Sequence, residues 1–362
     1  DFLSDLQSMF DHLVDLTEPI CQNLDPALAS MTIFDTFGIE AWVTENNPKY
    51  ANRIIKQLKA FKDPITLMIP MILIKQLMLY ANHAASNLAI QQMYINGHSC
   101  YAYKFGIITN GLGIVRDITF YNKDFLKKHP DIVVGKKQIT DEDKSLADSK
   151  ALLPVLIDFF QKHPLINSKT FLGDAAFDAI NIYKSLFEEI GFQKAFIPLK
   201  TKLSVEGADY TVNENGIPCC PHDPSLPMRR EGSKSHLRSK LPTMKFVCPK
   251  MKWEYNPADK SKRRDVIVTI HVHLLPEKNL RAYPGVERGS QEWEDTYKIR
   301  VNVEKSINHF KDSFCVADRK TQNEKTLHAD LLLTGIIQLV TVLVADKIHQ
   351  YQYIRSLKPL IA

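Results

Sequence analysis

Residues 100–121 hold the feature that narrows the fold most. Two ten-residue runs, CYAYKFGIIT and LGIVRDITFY, are rich in β-branched and aromatic residues and flank the dipeptide Asn110-Gly111. Asn-Gly is the strongest short-range hairpin signal, because both residues tolerate the positive φ of a tight turn between twisted strands. A lone hairpin is marginal in water. Neighbouring elements must therefore complete a sheet.

The chain supplies them. Residues 31–39, MTIFDTFGI, read as a strand with one carboxylate, Asp35, at its centre. An acid inside an apolar strand is costly unless it is paired, hydrogen-bonded or metal-bound. The plainer alternative is a turn or cap at a strand end. Residues 148–163 have helical apolar spacing with Asp148 as N-cap. Residues 169–177, KTFLGDAAF, read as a strand ending in Asp174, followed by a helix over 178–190 closed by Gly191 and a strand over 193–199. This order predicts an α/β fold, antiparallel strands first and parallel crossovers later. Asp174 then sits at the carboxyl end of a strand, where ligands bind in such sheets. Residues 1–29 form a helical lead-in, and 45–97 a helical insertion with an apolar run at 65–80.

Residues 200–292 interrupt the plan. They are Pro-rich and basic, with an excess of six positive charges, against +5 for the whole chain. Residues 266–274 read as a strand. A charge run is ordinarily a solvated loop. Concentrated in an insertion beside an acidic site, it fits a phosphate backbone better.

Residues 297–311 read YKIRVNVEKSINHFK. On a uniform α-helix Tyr297, Arg300, Glu304 and Lys311 share a stripe about 60° wide. Judged alone this is a solvated, ion-paired face. Beside two strand acids, a carboxylate between two cations and a phenol suits a metal-bound phosphate. Residues 293–350 complete the core, with one or two apolar helices over 327–350 around the apolar run at 331–345 packing against the sheet, and 351–362 form a tail. Both apolar runs are shorter than the roughly 20 residues a bilayer needs, so both are read as buried helices. The mildly basic pI of 8.7 permits a polyanionic partner. Six cysteines are too few for a disulfide scaffold and point to a reducing compartment. No secretory signal opens the chain, and its start at Asp1 without an initiator Met fits a piece of a longer protein.

Three carboxylates held together stay ionised only when a cation joins them. Asp35, Asp174 and Glu304 are the candidates. Oxygen ligands select Mg²⁺ or Mn²⁺, and a two-ion site suits in-line phosphodiester displacement. IFDTFGIE around Asp35, FLGDAAFD around Asp174 and the gap-free Tyr297/Arg300/Glu304/Lys311 spacing together resemble the DDE-type transposases of bacterial insertion sequences, in the group with a Y-R-E-K signature. The resemblance spans about residues 30–345.

It implies an RNase H-like mixed sheet flanked by helices, with a β-rich basic insertion domain before the last catalytic helix. The core would be 30–199 plus 293–350 and the insertion 200–292. It implies that Asp35, Asp174 and Glu304 bind two Mg²⁺ and that the protein cuts and joins mobile-element DNA ends. Tyr297, Arg300 and Lys311 would contact that DNA. A homodimer at synapsis and a cytoplasmic, nucleoid-associated setting without a membrane are also implied. A nuclease without strand transfer and a non-catalytic DNA-binding remnant are the alternatives, and Asp117 is the fallback first acid. No helix-turn-helix precedes Asp35. Trp253 and Trp293 are candidates for base stacking, with core packing preferred. Cys219, Cys220, His222 and Cys248 form a candidate zinc set, with ordinary reduced cysteines preferred.

Overall fold

The computed structural model describes residues 2–43, 46, 90–95, 97–133, 148–200, 210–213, 217–221, 223–234, 243–248, 252–255, 262–265, 271–274, 280–281, 283–318 and 323–361. It divides into two compact units, Asp1–Asn167 with Val301–Ala362, and Ser168–Arg300. The inserted helical segment expected over 45–97 lies outside the described residues except at 46 and 90–95, and 97, a turn. In chain order the main elements begin with helix α1 (Phe2–Leu24) and strands β1 (Met31–Glu40), β2 (Ile90–Ile95), β3 (His98–Thr109) and β4 (Val115–Phe120). Helix α2 (Asp148–Lys162) and strands β5 (Thr170–Leu172) and β6 (Lys194–Phe196) follow. Helices α3 (Gln291–Tyr297), α4 (Val301–Asn308) and α5 (Glu324–Lys347) come last. The protein is mixed α/β, with strands paired both parallel and antiparallel.

In the first unit β3 is the spine. β1 runs antiparallel along one side, with Asp35 opposite Ile107 and Phe37 opposite Phe105. β4 takes the C-terminal half of the other side, with Phe105 opposite Phe120, and β2 takes the N-terminal half. Alternation of side chains along each strand sorts the residues onto two faces. Asp35, Phe37, Phe105, Ile107, Ile118 and Phe120 share one face. Thr36, Gly106, Asp117 and Thr119 share the other. Phe37, Phe105 and Phe120 stack in a row across the three strands, at 5.5 and 4.6 Å between ring centroids.

The β3–β4 hairpin forms where the sequence places it, through a wider loop than Asn-Gly alone implies. Asn110 N–H bonds to Ile114 O at 3.0 Å, and the Asn110 side chain accepts from Ile114 N at 3.1 Å. Gly113, not Gly111, adopts positive φ, at 76°. Gly111 serves a close approach instead: its N–H bonds to Leu28 O at 2.8 Å, and a Cβ there would collide with that backbone.

The apolar run at 331–345 lies within a longer helix, the 24-residue α5, which is long and apolar enough to cross a membrane by length and composition alone. In the structure it is a core helix. It packs along α1 and against β4, and Leu331, Leu332, Leu339 and Val342 are buried. Gly335 meets the Phe10 ring of α1, where a Cβ would collide. Gln338, the polar residue inside the run, accepts from Val115 N at 2.8 Å. It thereby satisfies a strand N–H that would otherwise be costly to bury.

The second unit carries the parallel pair β5–β6, with Thr170 opposite Lys194. The crossover is a short helix, Ile180–Lys184, that widens into a π turn, Ser185–Ile190, and is closed by Gly191 at φ 94°. The insertion is antiparallel throughout its described strands. β7 (Cys219–Cys220) pairs β8 (Asp223–Pro227), β9 (Arg229–Lys234) and β13 (His271–Leu274) flank β10 (Thr243–Val247), and β11 (Lys252–Tyr255) pairs β12 (Lys262–Asp265). Of the strand expected over 266–274, β13 is the described part.

Arg288 ties this unit together. It is buried, 4% exposed, and donates to Ile197 O at 2.6 Å, Tyr183 Oη at 2.7 Å and Arg281 O at 2.7 Å. Its guanidinium lies 4.6 Å from the Trp293 ring centroid. Arg281 grips Asp178 with two nitrogens, at 2.9 and 2.5 Å. The chain that leaves β6 for the insertion is thus fastened to the chain that returns from it.

Candidate functional site

The sequence treats residues 297–311 as one uniform helix. The structure does not. α3 ends at Tyr297, a 3₁₀ turn spans Lys298–Arg300, α4 spans Val301–Asn308, and a π turn spans His309–Ser313. A 3₁₀ turn has fewer residues per turn than an α-helix and a π turn more. Each shifts the azimuth of the residues beyond it, so the phase of a uniform α-helix does not carry across residues 297–311.

The first unit holds Asp35, Glu304 and Lys311. Asp35 is half-buried at the middle of β1, and its Oδ1 accepts from Thr36 N at 2.8 Å. Glu304 is exposed on α4. That helix packs on β1 and β3 through buried Val303 and Ile307. Two polar anchors fix it to the hairpin loop: Ser306 Oγ donates to Gly113 O at 2.6 Å, and Asn302 Nδ2 to Gly111 O at 2.7 Å.

Lys311 sits in the π turn, and its ammonium lies 5.6 Å from the Phe37 ring centroid, within cation–π range. Burial lowers its pKa, opposed by the carboxylates of Asp312 and Asp35 and by Cys100. The fold therefore brings Lys311 into the field of Asp35. Cys100, buried nearby, has its thiol pushed up to about 11 by burial and by Glu40, with Lys311 opposing.

The second unit holds Asp174, Tyr297 and Arg300. Asp174 lies two residues beyond β5. Its side chain accepts from Ala176 N at 2.8 Å and caps the 3₁₀ turn Ala175–Phe177. Tyr297 stacks on Trp293, with centroids 6.4 Å apart and 16° between planes. Trp293 is buried and also meets Phe196 at 5.1 Å. Core packing therefore accounts for it. The side chain of Trp253 lies outside the described residues. Arg300 is half-buried in the 3₁₀ turn.

Among the described residues no group of three or more His, Cys, Asp and Glu side chains is arranged to hold a metal ion. Asp117, the fallback acid, is 2% exposed and accepts from Lys162 Nζ at 2.7 Å and from Thr119 Oγ1 at 2.5 Å. Cys220 and Cys248 meet at 3.4 Å between sulfurs in an apolar cluster with Val212, Met228 and Phe246. Cys219 turns to Ile217 O at 3.8 Å, and His222 lies outside the described residues. Several cations of the second unit face carboxylates: Arg230 pairs Glu287, Lys245 pairs Glu231 at 2.5 Å, and Lys194 pairs Glu292.

Sequence reasoning missed two features of the first unit. Phe37 reads as plain core, and only the fold shows the lysine above its ring. A polar network links α1, β4 and the end of α2: Lys162 also reaches Asp11 at 3.6 Å, and His163, fully buried, bonds Asp15 at 2.7 Å. His328 meets Phe120 edge-on at 5.8 Å. These residues come from distant parts of the chain without a shared motif, so no local pattern announces them. Neither a family model nor a curated protein matches this chain.

Proposed function

We propose that the protein is a DDE-type DNA transposase with an RNase H-like core, cutting and joining mobile-element ends. The order of elements supports this. An antiparallel β1–β3–β4 meander carries an acid at the centre of its first strand, and a helix and a parallel pair follow, with a second acid just past β5. The observation that carries the reading is the packing of α4 on β1. It sets the helix of Glu304 on the strand of Asp35 and places Lys311 within the field of that carboxylate.

Asp35, Asp174 and Glu304 are oxygen donors, the ligand class that divalent magnesium and manganese take, and none is a soft ligand. Asp35 and Asp174 are each oriented through one oxygen held by a backbone N–H. Bound divalent ions would supply Lewis acidity to a phosphodiester. With such ions bound, Asp35 and Glu304 would supply oxygen ligands, and Lys311 would offer positive charge to a phosphate. DNA is the partner, engaged as a homodimer at synapsis.

The test is nicking of a supercoiled plasmid in Mg²⁺, together with joining of pre-cut duplexes of randomised terminal sequence into that plasmid. Wild type is expected to do both, and Glu304→Gln and Asp35→Asn neither. Cleavage without joining would point to a nuclease instead. Undiminished cleavage by Glu304→Gln would sink the site.

A further inference from the structure

We infer that Phe37 is a positioning residue for Lys311: its ring, braced by Phe105 and Phe120, holds the ammonium over the sheet face that carries Asp35, where a phosphate would be engaged. This rests on the transposase reading and deepens it, because it assigns the job of placing the phosphate contact to a residue outside the acidic triad and the helix signature.

Three observations converge. The first is the distance of 5.6 Å from Lys311 Nζ to the Phe37 centroid. A cation over an aromatic face is attracted by the ring quadrupole, more strongly where water is excluded. The second is the bracing. Phe37 is 4% exposed, stacks on Phe105 at 5.5 Å with 25° between planes, and Phe105 stacks on Phe120 at 4.6 Å. The ring facing Lys311 is the end of a row fixed by three paired strands, so it cannot swing away. The third is the helix itself. Lys311 lies in the π turn His309–Ser313, a distortion frequent at functional sites. In a continuous α-helix its azimuth would follow Glu304. The wider turn carries it to a different one, where the Phe37 ring receives it.

The consequence is a division of labour along one strand. β1 carries Asp35 and, two residues on, Phe37 on the same face. The carboxylate would serve the ions, and the ring sets where the neighbouring positive charge stands. A flexible lysine loses rotamer freedom when it engages a phosphate. A ring that already confines it lowers that loss, which is the physical sense of preorganisation.

The experiment uses the full chain with its lysines ¹³C-dimethylated, and fluorescein-labelled 30-base-pair duplex DNA of random sequence as the nucleic-acid probe. In wild type the Lys311 N-methyl signal is expected upfield of that of exposed Lys298, from the ring current of Phe37. Phe37→Leu is expected to abolish the upfield shift and Phe37→Tyr to keep it. In the unlabelled protein, the slope of log affinity against log salt is expected to fall by about one in Phe37→Leu and in Lys311→Met, and not in Phe37→Tyr. Rescue by tyrosine separates positioning from mere core volume, and far-ultraviolet circular dichroism checks that each variant is folded. A Lys311 signal that is not upfield in wild type, or that survives Phe37→Leu, overturns the proposal. So does an upfield shift lost in Phe37→Leu with an unchanged salt slope. Failure of the transposase reading is read separately, from the Glu304→Gln cleavage assay.

Discussion

Lys162 Nζ lies 2.7 Å from Asp117 Oδ1, on the sheet face opposite Asp35. Burial opposes the lysine's charge, but Asp117 and Asp11 outweigh it and raise the lysine's pKa. Asp117 is thereby paired with the ammonium of Lys162. Lys162→Met leaves that carboxylate buried with Thr119 alone. Loss of one partner of a buried pair costs about 3–5 kcal/mol. Because the Lys162 side chain is 36% exposed, a loss of about 2 kcal/mol is expected in urea melts. An unchanged midpoint would refute the pairing.

Asp35 and Asp117 should separate function from stability. Asp35→Asn is expected to abolish Mg²⁺-dependent nicking with little change in melting temperature. Asp117→Asn is expected to lower the melting temperature and leave the specific nicking rate of the folded fraction within a factor of about three, below the tenfold that 1.4 kcal/mol represents. The reverse pattern would move the first acid to Asp117.

His328 is depressed to about 4, by burial first, with Asp117 opposing and Lys162 reinforcing. Its ordinary value is 6.5. Between those values the unfolded chain binds a proton that the folded chain refuses, so stability rises with pH across the window and is lost as pH falls from 6.5 toward 4. The shift corresponds to about 3 kcal/mol. Subtracting a His328→Phe denaturation profile from wild type should isolate that slope. A difference curve flat across the window contradicts a buried neutral imidazole.

Arg288 makes three hydrogen bonds in the second unit and covers the Trp293 face. Arg288→Met keeps much of the volume and leaves Ile197 O and Tyr183 Oη without this donor. A loss of about 3 kcal/mol is expected, at roughly 1 kcal/mol for each of the three hydrogen bonds when packing is retained. Limited proteolysis between residues 200 and 280 should accelerate in parallel. Wild-type resistance would mean that Arg288 does not fasten the insertion.

Gly335 allows α5 to meet α1 at the Phe10 ring. Gly335→Val puts branched carbon into that contact. Overpacking of a dense core costs about 1–3 kcal/mol. Calorimetry on this variant and on the pair Gly335→Val with Phe10→Leu checks it. Partial recovery in the double variant is expected, since the smaller partner makes room.

Local pattern carried much of the fold. The β-branched and aromatic run of β1, the Asn-Gly region of the hairpin and the apolar spacing of α2 are readable because each depends on residues close in sequence. The helix after Asp174 and its Gly191 stop are legible for the same reason. The phase of residues 297–311 was not. Its 3₁₀ and π turns arise where the chain adjusts to the elements it packs on, and propensity carries no record of that. Gly113, not Gly111, took the positive φ, because Gly111 is committed to the backbone of Leu28.

For the candidate site, the sequence alone determined the residue types and their order: an acid within β1, an acid after β5, and the Tyr297/Arg300/Glu304/Lys311 spacing. Only the tertiary structure decided that Lys311 stands over Phe37 in the field of Asp35, and that Asp117 belongs to Lys162. Spacing along a chain sets the order of side chains. Which of them meet is set by strand register and helix packing, between residues far apart in the chain.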